Sequence, residues 1–109
     1  MLGGILSADD LADYQPVVLE PLVLPYRDVE LVLLPYQAGG PTTGEVLTIL
    51  DGFDLRALGH NSAAALHLIA EASRRASADR HAYIGDPDFV SIDWARSPLA
   101  STVPSPGRR

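Results

Sequence analysis

At 109 residues, 47% hydrophobic and 20% charged, the chain has room for one domain or part of a larger one, and is too apolar for wholesale disorder. A formal charge of −6, with Arg74-Arg75 and Arg108-Arg109 as the only basic pairs, argues against a nucleic-acid partner, because phosphate binding rests on clustered Lys and Arg. Without cysteine there is no disulfide, thiol catalysis or thiolate-bound metal, and no apolar run approaches the roughly 20 residues of a membrane span.

Met1-Leu2-Gly3-Gly4 shows neither the basic region nor the long apolar stretch of a signal peptide, so none is expected here, and the compartment stays open. Ser7-Ala8-Asp9-Asp10 predicts a helix start, with Ser7 as cap and acids in the first turn complementing the dipole. Leu11 and Tyr14, three apart, would supply this short helix with its apolar contact, and Pro16 would stop it.

Residues 17–34 predict a β region built from Val17-Val18-Leu19, Leu22-Val23-Leu24 and Val29 to Leu34. Pro25-Tyr26-Arg27-Asp28 supplies a turn between the last two, and Pro21, which cannot donate, marks the first as an edge strand. "VELVLL" carries Glu30 as its one polar residue, so it calls for cover on both faces. Two helices and one hairpin can hardly provide that cover, which points to partner layers outside this chain.

From Val46 the apolar residues Val46, Leu47, Leu50 and Phe53 form a helical stripe, with Gly52 suited to the position just past the helix end. "FDLRALGHNS" reads as a loop, and Asn61-Ser62 opens a longer helix with a stripe through Leu66, Ile69, Ala70, Ser73, Ala76, Arg80 and Tyr83, ending before Gly85. About 22 residues would make a rod of roughly 33 Å, long for so small a domain. After Trp94 the Ser, Pro and Gly content rises, so the expected organisation is a domain over 3–96 and a frayed tail over 97–109.

The stretch "GGPTTGEVL", residues 39–47, admits three kinds of chemistry. Gly39 and Gly44 have the glycine spacing of a phosphate loop, but Glu45 stands where that loop needs lysine and would repel phosphate. A nucleophilic threonine needs a base, most simply its own amine freed by chain cleavage, and no feature of the sequence marks cleavage here. Thr42-Thr43-Gly44-Glu45 also fits a T-x-x-E capping box, with Thr42 capping free amides and Glu45 reaching back, and this is the favoured reading.

Asp86 and Asp88 could contribute to a calcium site, but the further oxygen ligands and terminal glutamate of an EF-hand loop are missing. Local backbone bonding in the Gly85-Asp86-Pro87 turn accounts for them better. Asp79 and Arg80, adjacent on a helix, face different directions and should meet different partners. His60, His67 and His81 lack zinc spacing, and G-x-S-x-G does not occur. Thr42, Glu45, Asp79, Arg80, Asp86 and Asp88 are therefore assigned structural roles, and no residue is assigned to catalysis, a cofactor or a metal.

Taken together, "GGILSADDLADY" (3–14), "EPLVLPYRDVELVLLP" (20–35), "GG" (39–40), "LTILDGFDLRALGHNSAAALHLIAEA" (47–72) and "ADRHAYIGDPDFV" (78–90) resemble the γ-glutamyltransferase (γ-glutamyltranspeptidase) family in order and spacing. The resemblance implies an α+β fragment of an N-terminal-nucleophile hydrolase, whose αββα sandwich would here be represented by a short helix, a β-hairpin region and two helices. It further implies a precursor that cleaves itself into large and small subunits, the small one beginning with a threonine that attacks γ-glutamyl amides such as glutathione. On that mapping this chain corresponds to the C-terminal part of the large subunit.

The family's nucleophile follows "GDPDF" in a threonine-threonine-histidine context, whereas Thr42-Thr43 precede it, and residues 91–109 carry no such motif. Where the family commonly has Leu-Ala-Phe before "ADR", this chain has Arg75-Ala76-Ser77, which predicts weaker packing against the full-length fold at Ser77. The expected function is thus a partial γ-glutamyltransferase-like chain, inactive alone, whose partners are the remainder of the large subunit and the small subunit. A non-catalytic assembly module on the same scaffold, acting by self-association, is the alternative.

Overall fold

The structure, a computed structural model, describes residues 3–35, 38–86, 88–91 and 100. The tail expected over 97–109 lies, but for Ala100, outside the described residues, as do Pro87 and Trp94. In chain order the elements are α1 (Ala8–Ala12), β1 (Leu22–Tyr26), β2 (Val29–Leu33), α2 (Gly40–Asp51), α3 (Leu55–Leu58) and α4 (Ala63–Tyr83).

α1 starts as its sequence predicts. The Asp10 N–H donates to Ser7 Oγ at 3.1 Å, and the Ser7 N–H donates to Asp10 Oδ2 at 2.7 Å, closing a reciprocal cap. The helix ends at Ala12, well before Pro16, and buries none of its residues. Leu11 and Tyr14 stay exposed, so the expected contact between them prolongs nothing. Val17-Val18-Leu19 is not a strand: these residues are exposed and extend alongside no ladder, and a strand without a hydrogen-bonded neighbour is only extended chain.

β1 and β2 form an antiparallel pair in the register Leu22↔Leu33, Leu24↔Leu31 and Tyr26↔Val29. The turn is shorter than the four residues expected, because only Arg27 and Asp28 lie between the strands and Pro25 sits within the ladder opposite Glu30. Arg27 adopts φ 55, the left-handed conformation that a two-residue hairpin turn requires. Leu22 and Leu24, each 2% exposed, face inward with Leu31 and Leu33 packed against them. Val23 and Val32, paired on the opposite face, are exposed.

α2 packs against the hairpin and against α4. Its stripe buries Leu50 and half-buries Val46 and Leu47, whereas Phe53, beyond the helix end, is exposed. Gly52 serves as the last cap residue itself, at a helical φ of −71, and not as the left-handed residue expected after it. Its N–H donates to the Ile49 carbonyl at 3.3 Å, so the end tightens and needs no left-handed residue there. The loop expected over 53–62 contains α3, capped by Asp54, whose Oδ1 accepts from the Ala57 N–H at 3.0 Å. Gly59 at φ 85 ends that turn, and the Ser62 hydroxyl caps α4.

α4 runs for 21 residues, in line with the helix read from the sequence, but its buried face differs. Ala65, Ala72 and Ala76 are the buried residues, while Leu66 is 51% and Ile69 41% exposed. The small residues form the enclosed side of α4, and Leu66 and Ile69 face outward, so only Ala76 of the predicted stripe is fully enclosed. Ser77 is exposed on α4. No helix among the described residues is long and apolar enough to cross a membrane.

Candidate functional site

The glycine-threonine stretch builds its local structure from backbone geometry. Gly39 adopts φ 95 and forms the N-cap without a side-chain bond, and Pro41 lies within the first two helical positions with its φ already set. A Cβ on Gly40 would stand 1.8 Å from the Leu34 carbonyl oxygen, so the helix begins where backbone passes backbone. α2 therefore starts before Thr42, and the capping box expected from Thr42 and Glu45 does not form. Thr42 is within the first turn, its Oγ1 buried and without a hydrogen-bond partner among the described residues. The Thr43 hydroxyl donates to the Gly39 carbonyl at 3.1 Å, and Thr48 donates to Gly44 at 2.8 Å. These hydroxyls are occupied by the helix they belong to.

Glu45, freed from capping, points inward. It is 5% exposed, and its Oε2 has no hydrogen-bond partner among the described residues. Burial, then a hydrogen bond with the Asp79 carboxyl, and then the charge of that carboxyl push its own carboxyl up to about 7. The pair spans α2 and α4 beside an open cleft of about 540 Å³, lined also by Ile49, Phe53, Arg75 and Ala78. Arg80 turns elsewhere: its Nη1 lies 3.7 Å from the place a Cβ on Gly39 would take. Asp79 and Arg80 thus meet different surroundings, one facing Glu45 and the other the start of α2.

At the far end of α4, Asp86 organises the turn. Its Oδ1 accepts from the Asp88 N–H at 3.0 Å, and its carbonyl accepts from Phe89 and Val90 at 3.0 and 2.9 Å. The structure does not bring Asp86 and Asp88 together with a third ligand, and no group of three His, Cys, Asp or Glu able to hold a metal occurs among the described residues. The His81 Nδ1 donates to the Ser77 carbonyl at 2.6 Å, which ties that ring to its own helix and not to a hydroxyl.

A second open cleft, about 520 Å³, lies where the hairpin turn meets the end of α2. Arg27 Nε donates to Asp51 Oδ1 there at 2.9 Å, with the Arg27 guanidinium also 5.2 Å from the Tyr26 ring centre. Both partners are largely exposed, so the contact orients the turn more than it stabilises the chain. Sequence reasoning missed both this ion pair and the Glu45–Asp79 pair, since partners 24 and 34 positions apart leave no local signal. Chemically, the arrangement can retain a proton on a buried carboxyl, but it brings no nucleophile, base and oxyanion donor together among the described residues.

Known proteins are similar to this chain over most of its length. The sequence profile of the gamma-glutamyltranspeptidase family matches residues 1–103. The chain is 40% identical over 93 residues to the glutathione hydrolase proenzyme of Escherichia coli, covering 84% of this chain and 16% of that protein. It is 39% identical over 95 residues to the acylase ACY 1 proenzyme of Pseudomonas sp. strain V22, covering 86% and 17%. Among solved structures, the gamma-glutamyltranspeptidase of Helicobacter pylori superposes with a TM-score of 0.72 at 32% identity, covering 96% of this chain and 32% of that one. The chain thus spans about a sixth of the length of the curated relatives it matches.

Proposed function

The chain belongs to the gamma-glutamyltranspeptidase family, and we propose that it supplies a scaffolding segment of the large subunit of a γ-glutamyl-transferring or -hydrolysing enzyme, with the nucleophile furnished by residues outside these 109. In such an enzyme a threonine hydroxyl attacks the γ-glutamyl carbonyl, the amine departs with a proton, and the acyl group passes to water or to an acceptor amine. Thr42 and Thr43 take no part in that step. The segment's contribution is the hairpin and the α2–α4 pair, held as a unit on which further layers stack.

One observation carries this reading. Both layers of the segment leave apolar faces uncovered: Val23, Val32 and Leu34 along the hairpin, and Leu66 and Ile69 on α4. Surfaces of this kind on a family member spanning about a sixth of its relatives fit burial by the rest of the same fold. Size-exclusion chromatography with light scattering tests it. The isolated chain is expected to associate with increasing concentration into a polydisperse series, and Val32→Lys with Leu66→Glu to suppress that association. A concentration-independent monomer, or one defined oligomer, would overturn the proposal in favour of a free-standing module.

A further inference from the structure

We propose that the joint between α2 and α4 is a proton-dependent latch, in which Glu45 and Asp79 share one proton across the helix contact and the joint loosens when that proton leaves. The geometry requires a choice between bonded and repelled states. Glu45 is 5% exposed, its Oε2 finds no hydrogen-bond partner among the described residues, and its neighbour across the joint is a second carboxyl. With one proton present, Glu45 donates to Asp79 and the two helices are tied. With none, two anions meet, and that of Glu45 lies where water is largely excluded and is poorly compensated.

The surrounding residues make the outcome depend on helix separation. α4 packs against α2, Ala72 and Ala76 of α4 are 1% and 0% exposed, and α2 contributes the buried Gly44 next to Glu45. Small side chains let the helices pack closely, and Glu45 stays 5% exposed while the joint is closed. Arg75, on α4, is the one cation lining the same cleft among the described residues. Of the other charged or titratable groups on the packed elements, Arg27 of the hairpin turn pairs with Asp51, Glu71 with Arg74, Arg80 Nη1 lies near Gly39, the His81 ring bonds the Ser77 carbonyl, and His67 is exposed. Glu30 on β2 and Arg56 on α3 are exposed.

The sign follows from the direction of the shift. The carboxyl of Glu45 is raised from 4.5 to about 7, so the folded joint holds a proton that the open one releases between those values. The latch is therefore complete below the open-state value and is lost as pH rises through about 7. Because the chain has no cysteine, spin labels can be placed cleanly on Thr43→Cys and Ser77→Cys, both exposed, one on each helix. Dipolar electron resonance on dilute chain frozen from about pH 5 to about pH 8.5 should give one narrow distance at the acid end that broadens through neutral pH. Glu45→Gln, which can still donate to Asp79 but cannot ionise, should keep the narrow distance throughout. If Glu45→Gln loses its helical circular dichroism, Asp79→Asn serves as the second non-ionising variant with the same expectation. A wild-type distribution that does not change with pH, or that is already broad at acid pH, overturns the latch. So does broadening at the same pH in a folded variant.

Discussion

Arg27 shows how one residue can carry opposed demands. Its φ of 55 is unfavourable for a side chain with a Cβ, yet its guanidinium reaches Asp51 at 2.9 Å and lies over Tyr26. Truncation to alanine keeps the backbone cost and removes both contacts, whereas glycine removes the contacts and the cost together. Arg27→Gly should therefore be more stable than Arg27→Ala in urea titrations followed by circular dichroism. The gap between wild type and Arg27→Ala should narrow at high salt, since an exposed ion pair is screened. An alanine variant as stable as the glycine one would show that the turn residue is not strained.

At the scale of elements, the start of α2 decides which side chains become available. Replacing a helical glycine with alanine ordinarily stabilises a helix by roughly 1 kcal/mol. At Gly40 the added Cβ would collide with the Leu34 carbonyl oxygen at 1.8 Å, a backbone atom that cannot rotate away. Gly40→Ala should instead destabilise the chain by about 1–3 kcal/mol in denaturant titration, the usual cost of overpacking. A neutral or stabilising effect would mean that β2 and α2 do not approach as described.

The same helix start limited what could be read in advance. Thr42-x-x-Glu45 has the letters of a capping box, but a box works only at the boundary, and Gly39 with Pro41 moves that boundary ahead of it. Ser7 and Asp10 have similar letters at a true boundary, and there the box forms. α4 was legible in its existence and ends because Ser62 caps it and its length is unbroken, but its buried side was not. Periodicity registers apolar residues on two faces alike, and which face is enclosed depends on α2, about 20 residues upstream. The Glu45–Asp79 contact was invisible for the same reason: helix packing places the two residues together, and no local spacing encodes it.

For the whole molecule, the uncovered apolar faces and the family membership bear on one question, whether the chemistry resides in these residues. The hairpin has a single well-buried leucine pair, Leu22 and Leu24, and an outer face in the open. Such an arrangement gains most of its stability from layers it stacks against, since a two-stranded hairpin is marginal by itself. The threonine pair of the glycine-rich stretch is held in the first turn of α2, with Thr43 bonded to the Gly39 carbonyl and the Thr42 Oγ1 buried.

Hydrolysis of a chromogenic γ-glutamyl anilide by the purified 109-residue chain tests this account most directly. It predicts release of the aniline no faster than in buffer, for wild type and for Thr42→Ala and Thr43→Ala alike. Turnover proportional to chain concentration and lost in either threonine variant would contradict it, and would place the nucleophile in the stretch here described as a helix start.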